Sequence, residues 1–474
     1  MNYFYEKNTE LLNSEVNKKF EEVLAMTKDE FRQWAIDLRK TVVYLWDEKG
    51  NPPRVGYNEH EIVDQFNEMT SFPVWKFEVE DELTKEKDVI RNTSVVGNAV
   101  NQWFPTMMKT RINYTKDVNK GKSIYDYFAK DELLETFITY ATRHFKRDSF
   151  YHYSTPVQVG QTVEIGSLRF QPQTAQEFFD WFEVNARQYD THDYWLDATE
   201  EDKEYTGYNE ELKNKKYLMI KREDIQNVPH SCLTNLDHKE GNTIFRIRLY
   251  EKGQKLFPIG LKAFRVSFCQ YAVNFPPLTA KYLYEKFTES FKDQEQINIY
   301  DPSSGWGGRL LGAMSVNDER NIHYIGTDPN TDHNTHDGRT KYHEFADFFN
   351  TKTYRATGLF PKTHTYEIFQ HGSEEISKDP KFQKYKGKID LIFTSPPYFA
   401  KEAYSEDDAQ SYKKFSQYDL WRDGFLRKTL ETCVEYLRSD RYLLWNIADA
   451  VFDGDMLPLE QDSIDILESL GMVY

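Results

Sequence analysis

Residues Ile297-Asn-Ile-Tyr-Asp-Pro-Ser-Ser-Gly-Trp-Gly-Gly-Arg-Leu-Leu-Gly312 decide how this chain is read. An alternating strand stops at Asp301. A glycine-rich turn follows at Gly305, Gly307 and Gly308, and Leu310, Leu311 and Met314 then recur at helical spacing. Glycines let backbone approach a ligand closely. A strand, a glycine loop and a helix in this order open an α/β sheet whose ligand lies beyond the carboxyl ends of the strands. Asp301 puts a carboxylate at that end, which suits a cationic amine better than a phosphate.

Outward from this stretch, the same pattern repeats. His323-Tyr-Ile-Gly-Thr-Asp-Pro-Asn330 is a second strand ending in an acid, Asp328, about twenty residues past the glycine loop, where such sheets hold ribose hydroxyls. Tyr366 to Ser373 is a third, ending at His371-Gly372-Ser373, and the apolar run from Ile389 to Phe393 is a fourth. With helical stretches between them, these strands predict a βαβαβαβ succession: a Rossmann-like sheet with helices on both faces. Tyr442 to Ala448 is expected as a fifth strand, Leu457 to Leu470 as a helix, and Gly471 to Tyr474 as the start of a sixth strand.

The fourth strand carries the chemistry. Leu391-Ile-Phe-Thr-Ser-Pro-Pro-Tyr398 stops at two prolines that cannot continue a ladder. It presents Ser395, the Pro396 carbonyl and Tyr398 at its tip. An exocyclic amine on an aromatic ring is a poor nucleophile, because its lone pair is delocalised. Two acceptors, Ser395 Oγ and a proline-fixed carbonyl, would draw its hydrogens toward tetrahedral geometry and free that lone pair. Tyr398 and Phe399 would stack on the base, each such stack being worth about 1–3 kcal/mol.

Asp301-Pro-Ser-Ser-Gly-Trp-Gly-Gly308 and Thr394-Ser-Pro-Pro-Tyr398 together resemble the two main motifs of the S-adenosylmethionine-dependent amino-methyltransferases of DNA. The resemblance covers roughly residues 270 to 474. It implies S-adenosyl-L-methionine as cofactor, held by Ser303, Gly305, Gly307 and Thr394, with Asp301 on the methionine amine, Asp328 on the ribose and Ser373 on the adenine. The catalytic group would be Ser395, Pro396, Pro397 and Tyr398, acting without a metal. The Ser form is typical of cytosine-N4 enzymes, whereas Asp-Pro-Pro-Tyr is more usual for adenine-N6 enzymes. Adenine N6, an RNA base amine, or an inactive nucleic-acid-binding protein on the same fold are the alternatives. Gly308-Arg309 departs from the family's usual Gly-Thr. Asn274-Phe-Pro-Pro277 has the wrong order for the catalytic motif, and prolines before a helix are an ordinary start signal.

Composition bounds the rest. The 474 residues suffice for two or three domains: an α+β N-terminal region, 1–270, and the methyltransferase region, 271–474. No apolar run approaches a membrane span. Cys232, Cys269 and Cys433 are far apart, which argues against a disulfide framework and fits a reducing cytoplasm, bacterial or of a virus-infected host. None follows a proline, so carbon-5 methylation through a thiolate is disfavoured. A net charge of −17 argues against strong non-specific DNA affinity, but Lys109 to Lys122 carries five basic residues against one acid. Lys116, Lys120 and Lys122 are its candidate phosphate contacts, and the N-terminal region is the expected reader of DNA sequence. Thr27-Lys-Asp-Glu30 reads as a capping box, Thr41 to Trp46 as a strand, Lys130 to His144 as a helix, Thr243 to Tyr250 as a strand, and 186–215 as an acidic loop. His333 and His336 beside Asp332 and Asp337 read as a polar loop before a helix, not as a metal site. The family's fold closes with a strand hairpin, so the expectation is either a shortened protein or an incomplete sequence at the C-terminus.

Overall fold

The computed structural model describes residues 9–50, 52–53, 56–80, 87–89, 96–112, 121–145, 163–165, 168–170, 217–221, 234–235, 244–248, 255–257, 272–335, 337–352, 364–452 and 454–474. The chain forms two compact units: residues 1–7, 56–125 and 270–474 make one, and 8–55 with 126–269 make the other. This corrects the single division expected at residue 270, because 56–125 clusters with the C-terminal part.

In the second unit, Thr27 accepts from the Glu30 amide while Glu30 returns a 2.7 Å bond from the Thr27 amide, and this capping box opens the helix Lys28–Lys49. Phe31, Trp34, Leu38, Val42 and Leu45 fall on one face of it and are buried. The strand expected over 41–46 is therefore a continuation of this helix. Its β-branched Thr41, Val42 and Val43 favour strands only weakly, and burial at helical spacing overrides that preference. Gly50, at φ +69°, ends the helix in the left-handed conformation. A second helix, Leu134–Phe145, bears Glu135, which pairs with Arg32. Ile244–Arg248 pairs antiparallel with Tyr217–Lys221 and Thr234–Asn235. The acidic stretch 186–215 lies outside the described residues.

The first unit is built on a five-stranded, all-parallel sheet. Its strands are β1 (Ile297–Asp301), β2 (Ile322–Thr327), β3 (Thr365–Phe369), β4 (Ile389–Thr394) and β5 (Leu437–Trp445), in spatial order 3-2-1-4-5. The helices are α1 (Pro277–Thr288), α2 (Gly308–Met314), α3 (Lys341–Lys352), α4 (Arg427–Tyr436) and α5 (Leu459–Ser469). Alternation along the strands divides the core. Ile297, Ile299, Tyr324, Leu391 and Phe393 pack with Leu278 and Tyr284 of α1, Leu310 of α2 and Phe345 of α3. Tyr300, Ile325 and Ile392 point the other way, against Cys433 and Tyr436 of α4. A two-sided parallel sheet needs such near-continuous apolar strands, and every residue of β1 and β4 is buried. The unit is thus an α/β fold with helices on both faces.

Two expectations near the end of the chain are corrected. Met472 to Tyr474 form no strand. Between β5 and α5 lies an antiparallel hairpin, Ala450–Phe452 with Asp455–Leu457, that the sequence reading did not anticipate. No helix among the described residues is long and apolar enough to cross a membrane.

Candidate functional site

The order 3-2-1-4-5 reverses direction between β1 and β4, and their adjacent carboxyl ends leave a crevice there. A cavity of about 570 Å³ occupies it, within the 300–1,000 Å³ range of small-molecule sites. Ser303, Gly305 and Trp306 of the glycine loop and Arg309 in the first turn of α2 form one wall, with Asp328 beside them. Ser373 contributes from the chain after β3, and Ser395, Pro396, Pro397 and Tyr398 from the tip of β4. The two motifs found in the sequence therefore meet in one space.

The loop is shaped by what crowds it. Gly307 has φ +72°, and a Cβ there would lie 2.8 Å from the Phe104 ring. At Gly308 a Cβ would come within 2.3 Å of the Phe275 carbonyl oxygen, so the segment before α1 rests directly on the loop. Asn274 seals that contact, donating to the Trp306 carbonyl at 2.8 Å. Asn274, Phe275 and Pro276 line the cavity, and Pro277 starts α1 as the proline pair predicted.

Asp301 departs from its expected role. It is fully buried and does not line the cavity. Its Oδ2 accepts from Arg309 Nε at 2.7 Å and from the Tyr324 hydroxyl at 2.5 Å. Its Oδ1 accepts from Thr394 Oγ1 at 2.7 Å and from the Ser303 amide at 3.2 Å. Four donors fill the four acceptor positions of a carboxylate. In this network it offers no open acceptor to a ligand amine. Thr394, also fully buried, serves this network and not the cavity. Gly307 lies outside the cavity wall, and its role is conformational.

Asp328 is where the sequence placed it. Its Oδ2 accepts from the Gly305 amide at 3.1 Å and the Tyr342 hydroxyl at 2.8 Å, and its Oδ1 from the Asn330 amide at 2.8 Å. Three donors on four acceptor positions leave Oδ1 able to take one more. Burial holds its carboxyl above the ordinary Asp value, with His333 opposing. His333 is itself buried, lies on the cavity wall and bonds Thr106 and Tyr342. Among the described residues no group of three or more His, Cys, Asp or Glu could hold a metal, and His336 lies outside them.

At the tip of β4, Asn446 is the residue that sequence reasoning missed. It follows β5, and its Nδ2 donates to Ser395 Oγ at 3.1 Å while its carbonyl accepts from the Tyr398 hydroxyl at 3.3 Å. A polar residue directly after an apolar strand was the available signal. Burial raises the Tyr398 phenol, with the Ser395 hydroxyl opposing. Glu402 also lines the cavity, held above the usual carboxylate range by burial and paired with the Tyr404 hydroxyl.

Phe399 is not available for stacking on a base. It adopts φ +53°, is buried, and packs against Tyr418, Trp421 and Phe452. Such backbone strain persists only where packing over-determines it. Ser373 borders the cavity, but its hydroxyl is shared with Thr429 at 3.0 Å. In the basic stretch, Lys116 and Lys120 lie outside the described residues. Lys122 bridges to Ile112, a cavity residue, and Arg111–Ile112 pairs antiparallel with Glu402–Ala403. Cys433, the free cysteine among the described residues, is buried in α4 away from the cavity, and burial raises its thiol strongly. Comparison with protein-family models, with curated proteins and with solved structures gave no match to this chain.

Proposed function

We propose that the chain is a Rossmann-like methyltransferase that moves a methyl group from S-adenosyl-L-methionine to the exocyclic amine of a nucleic-acid base, with cytosine N4 in DNA as first substrate. The observation that carries this reading is the single cavity into which both the glycine loop with Asp328 and the tip Ser395 to Tyr398 open. Asp328, with one acceptor position free, fits a ribose hydroxyl. The loop residues Ser303 and Gly305 fit the nucleoside beside it. Asp301, saturated by its own neighbours, does not fit the amine of the methionine end.

Bound there, the cofactor supplies a methyl group already activated on a sulfonium sulfur. The chain supplies orientation and fixed dipoles. Ser395 Oγ, steadied by Asn446, and the Pro396 carbonyl would accept hydrogen bonds from the two amine hydrogens; as the N–C bond forms and the S–C bond breaks, S-adenosylhomocysteine leaves as a neutral thioether and one amine proton passes to solvent. The face of Tyr398, whose hydroxyl is anchored on Asn446, supports the base. A paired base hides this amine, so the target nucleotide must leave the duplex stack.

Incubation of the full chain with methyl-labelled cofactor and DNA, followed by nucleoside mass spectrometry, tests the reading. Label on cytosine N4 is expected. Label on adenine N6, or on RNA in a competition between single-stranded RNA and DNA, would redirect the substrate. Label only at carbon 5, or on no base, would sink the proposal. The sealing of Asp301 by Arg309 favours one second reading, a nucleic-acid-binding protein without turnover. Calorimetric titration separates the two, because tight binding of both cofactor and demethylated product speaks against it.

A further inference from the structure

The methionine end of this cavity has the opposite polarity from the one its motif implies. Asp301 was expected to offer a negative charge, but its carboxylate is closed off. In its place Arg309, 5% exposed, lies on the cavity wall. Its Nε is spent on Asp301 at 2.7 Å and one Nη2 hydrogen on the Ser303 carbonyl. Nη1 has no hydrogen-bond partner among the described residues. A guanidinium has five N–H donors, and two are accounted for here. The Phe275 ring, its centroid 5.8 Å from Arg309 Cζ, packs beside the group. Asp301 and Ser303 thus fix the plane of the fork at the cavity wall and leave the Nη1 donors without a partner among the described residues.

We propose that Arg309 is the receptor for the carboxylate of an amino-acid-bearing nucleoside in this cavity. The inference rests on the cofactor reading above and names the residue that takes the ligand's anionic end. A planar guanidinium matches a carboxylate through parallel, charge-assisted bonds, which an ammonium cannot reproduce. The departure from Gly-Thr at Gly308-Arg309 then has a purpose. The position after the glycines binds the carboxylate through a cation, and Asp301 serves to hold that cation in place.

The test compares three ligands on the full chain by calorimetry: S-adenosylhomocysteine, its decarboxylated counterpart, and 5′-methylthioadenosine, which lacks the amino-acid end. The unmodified protein should bind the first more tightly than the second by on the order of tenfold to a hundredfold, the range of a hydrogen-bonded charge pair. In Arg309→Lys this ratio should fall to within a few-fold of unity, while 5′-methylthioadenosine affinity is unchanged. Where Arg309→Lys does not fold, Asp301→Asn combined with Arg309→Gln removes both charges and should abolish the same discrimination. Equal affinity for the first two ligands in the unmodified protein would overturn the role of Arg309 and leave the nucleoside reading standing. Full discrimination in a folded variant would overturn it too. Binding of none of the three would overturn the cofactor reading and this inference with it.

Discussion

Thr394 Oγ1 donates to Asp301 Oδ1 at 2.7 Å, and this bond ties the carboxyl end of β4 to that of β1, across the switch point of the sheet. The residue just before Ser395 is thereby locked to the acid that orients Arg309. The two motifs are held by one buried network and not merely placed side by side.

Thr394→Val keeps the shape and removes the donor. Asp301 would lose one of its four partners in a fully buried position. A hydrogen bond to a charged group contributes about 1.5–3 kcal/mol, so a loss of stability of that order is expected. Urea unfolding of the full chain, followed by tryptophan fluorescence, checks it. An unchanged midpoint would show that the network is not needed.

Ser395→Ala, Tyr398→Ala and Asn446→Ala should all lower turnover much more than cofactor affinity, because the proposed function puts these side chains against the base and not the methyl donor. Asn446→Ala acts through the other two, so its loss should be smaller than that of Ser395→Ala. Single-turnover kinetics beside calorimetry separates the effects. Lost cofactor binding with turnover preserved at saturation would reverse this division of roles.

Asp328→Asn should weaken the cofactor by about 1–3 kcal/mol if the ionised carboxylate accepts ribose hydroxyls. Burial holds the Asp328 carboxyl above its ordinary value, so the folded state binds that proton more tightly than the unfolded chain does. Its contribution to stability is complete below the unfolded value of about 3.9 and is lost as pH rises through the folded one. Cofactor binding runs in the other direction, weakening as pH falls through the raised value. The variant should lack that step in a pH series of dissociation constants.

Neutralising Lys116, Lys120 and Lys122 together should flatten the dependence of DNA affinity on salt, since each phosphate contact adds to the slope. Cofactor affinity should not change. A slope equal to that of the unmodified chain would make the stretch a solvated surface.

What the sequence revealed and what it hid follow from range. The strand ends at Asp301, Asp328 and Thr394 were legible because prolines or glycines stop each apolar run. The fate of the Asp301 carboxylate was not. It depends on Arg309 eight residues later folding back, and on Tyr324 and Thr394 arriving from neighbouring strands. Asn446 was hidden for the same reason, since its partners lie 51 and 48 positions away. Phe399 was misplaced because nothing local shows that the chain turns to positive φ immediately after Tyr398, sending the next ring into the core. Residues 56–125 were assigned to the wrong unit because their partners lie beyond residue 270.

The small ladder of Arg111–Ile112 on Glu402–Ala403 bears on the order of assembly. Ile112 is a wall of the cavity, yet the strand it leans on arrives some 290 residues later. Closing so long a loop costs entropy before any contact repays it. The ribosome must therefore deliver the tip of β4 and its following segment before the wall can close. The ladder should be among the last parts of the cavity to acquire protection from hydrogen exchange during refolding, after the central strands have paired.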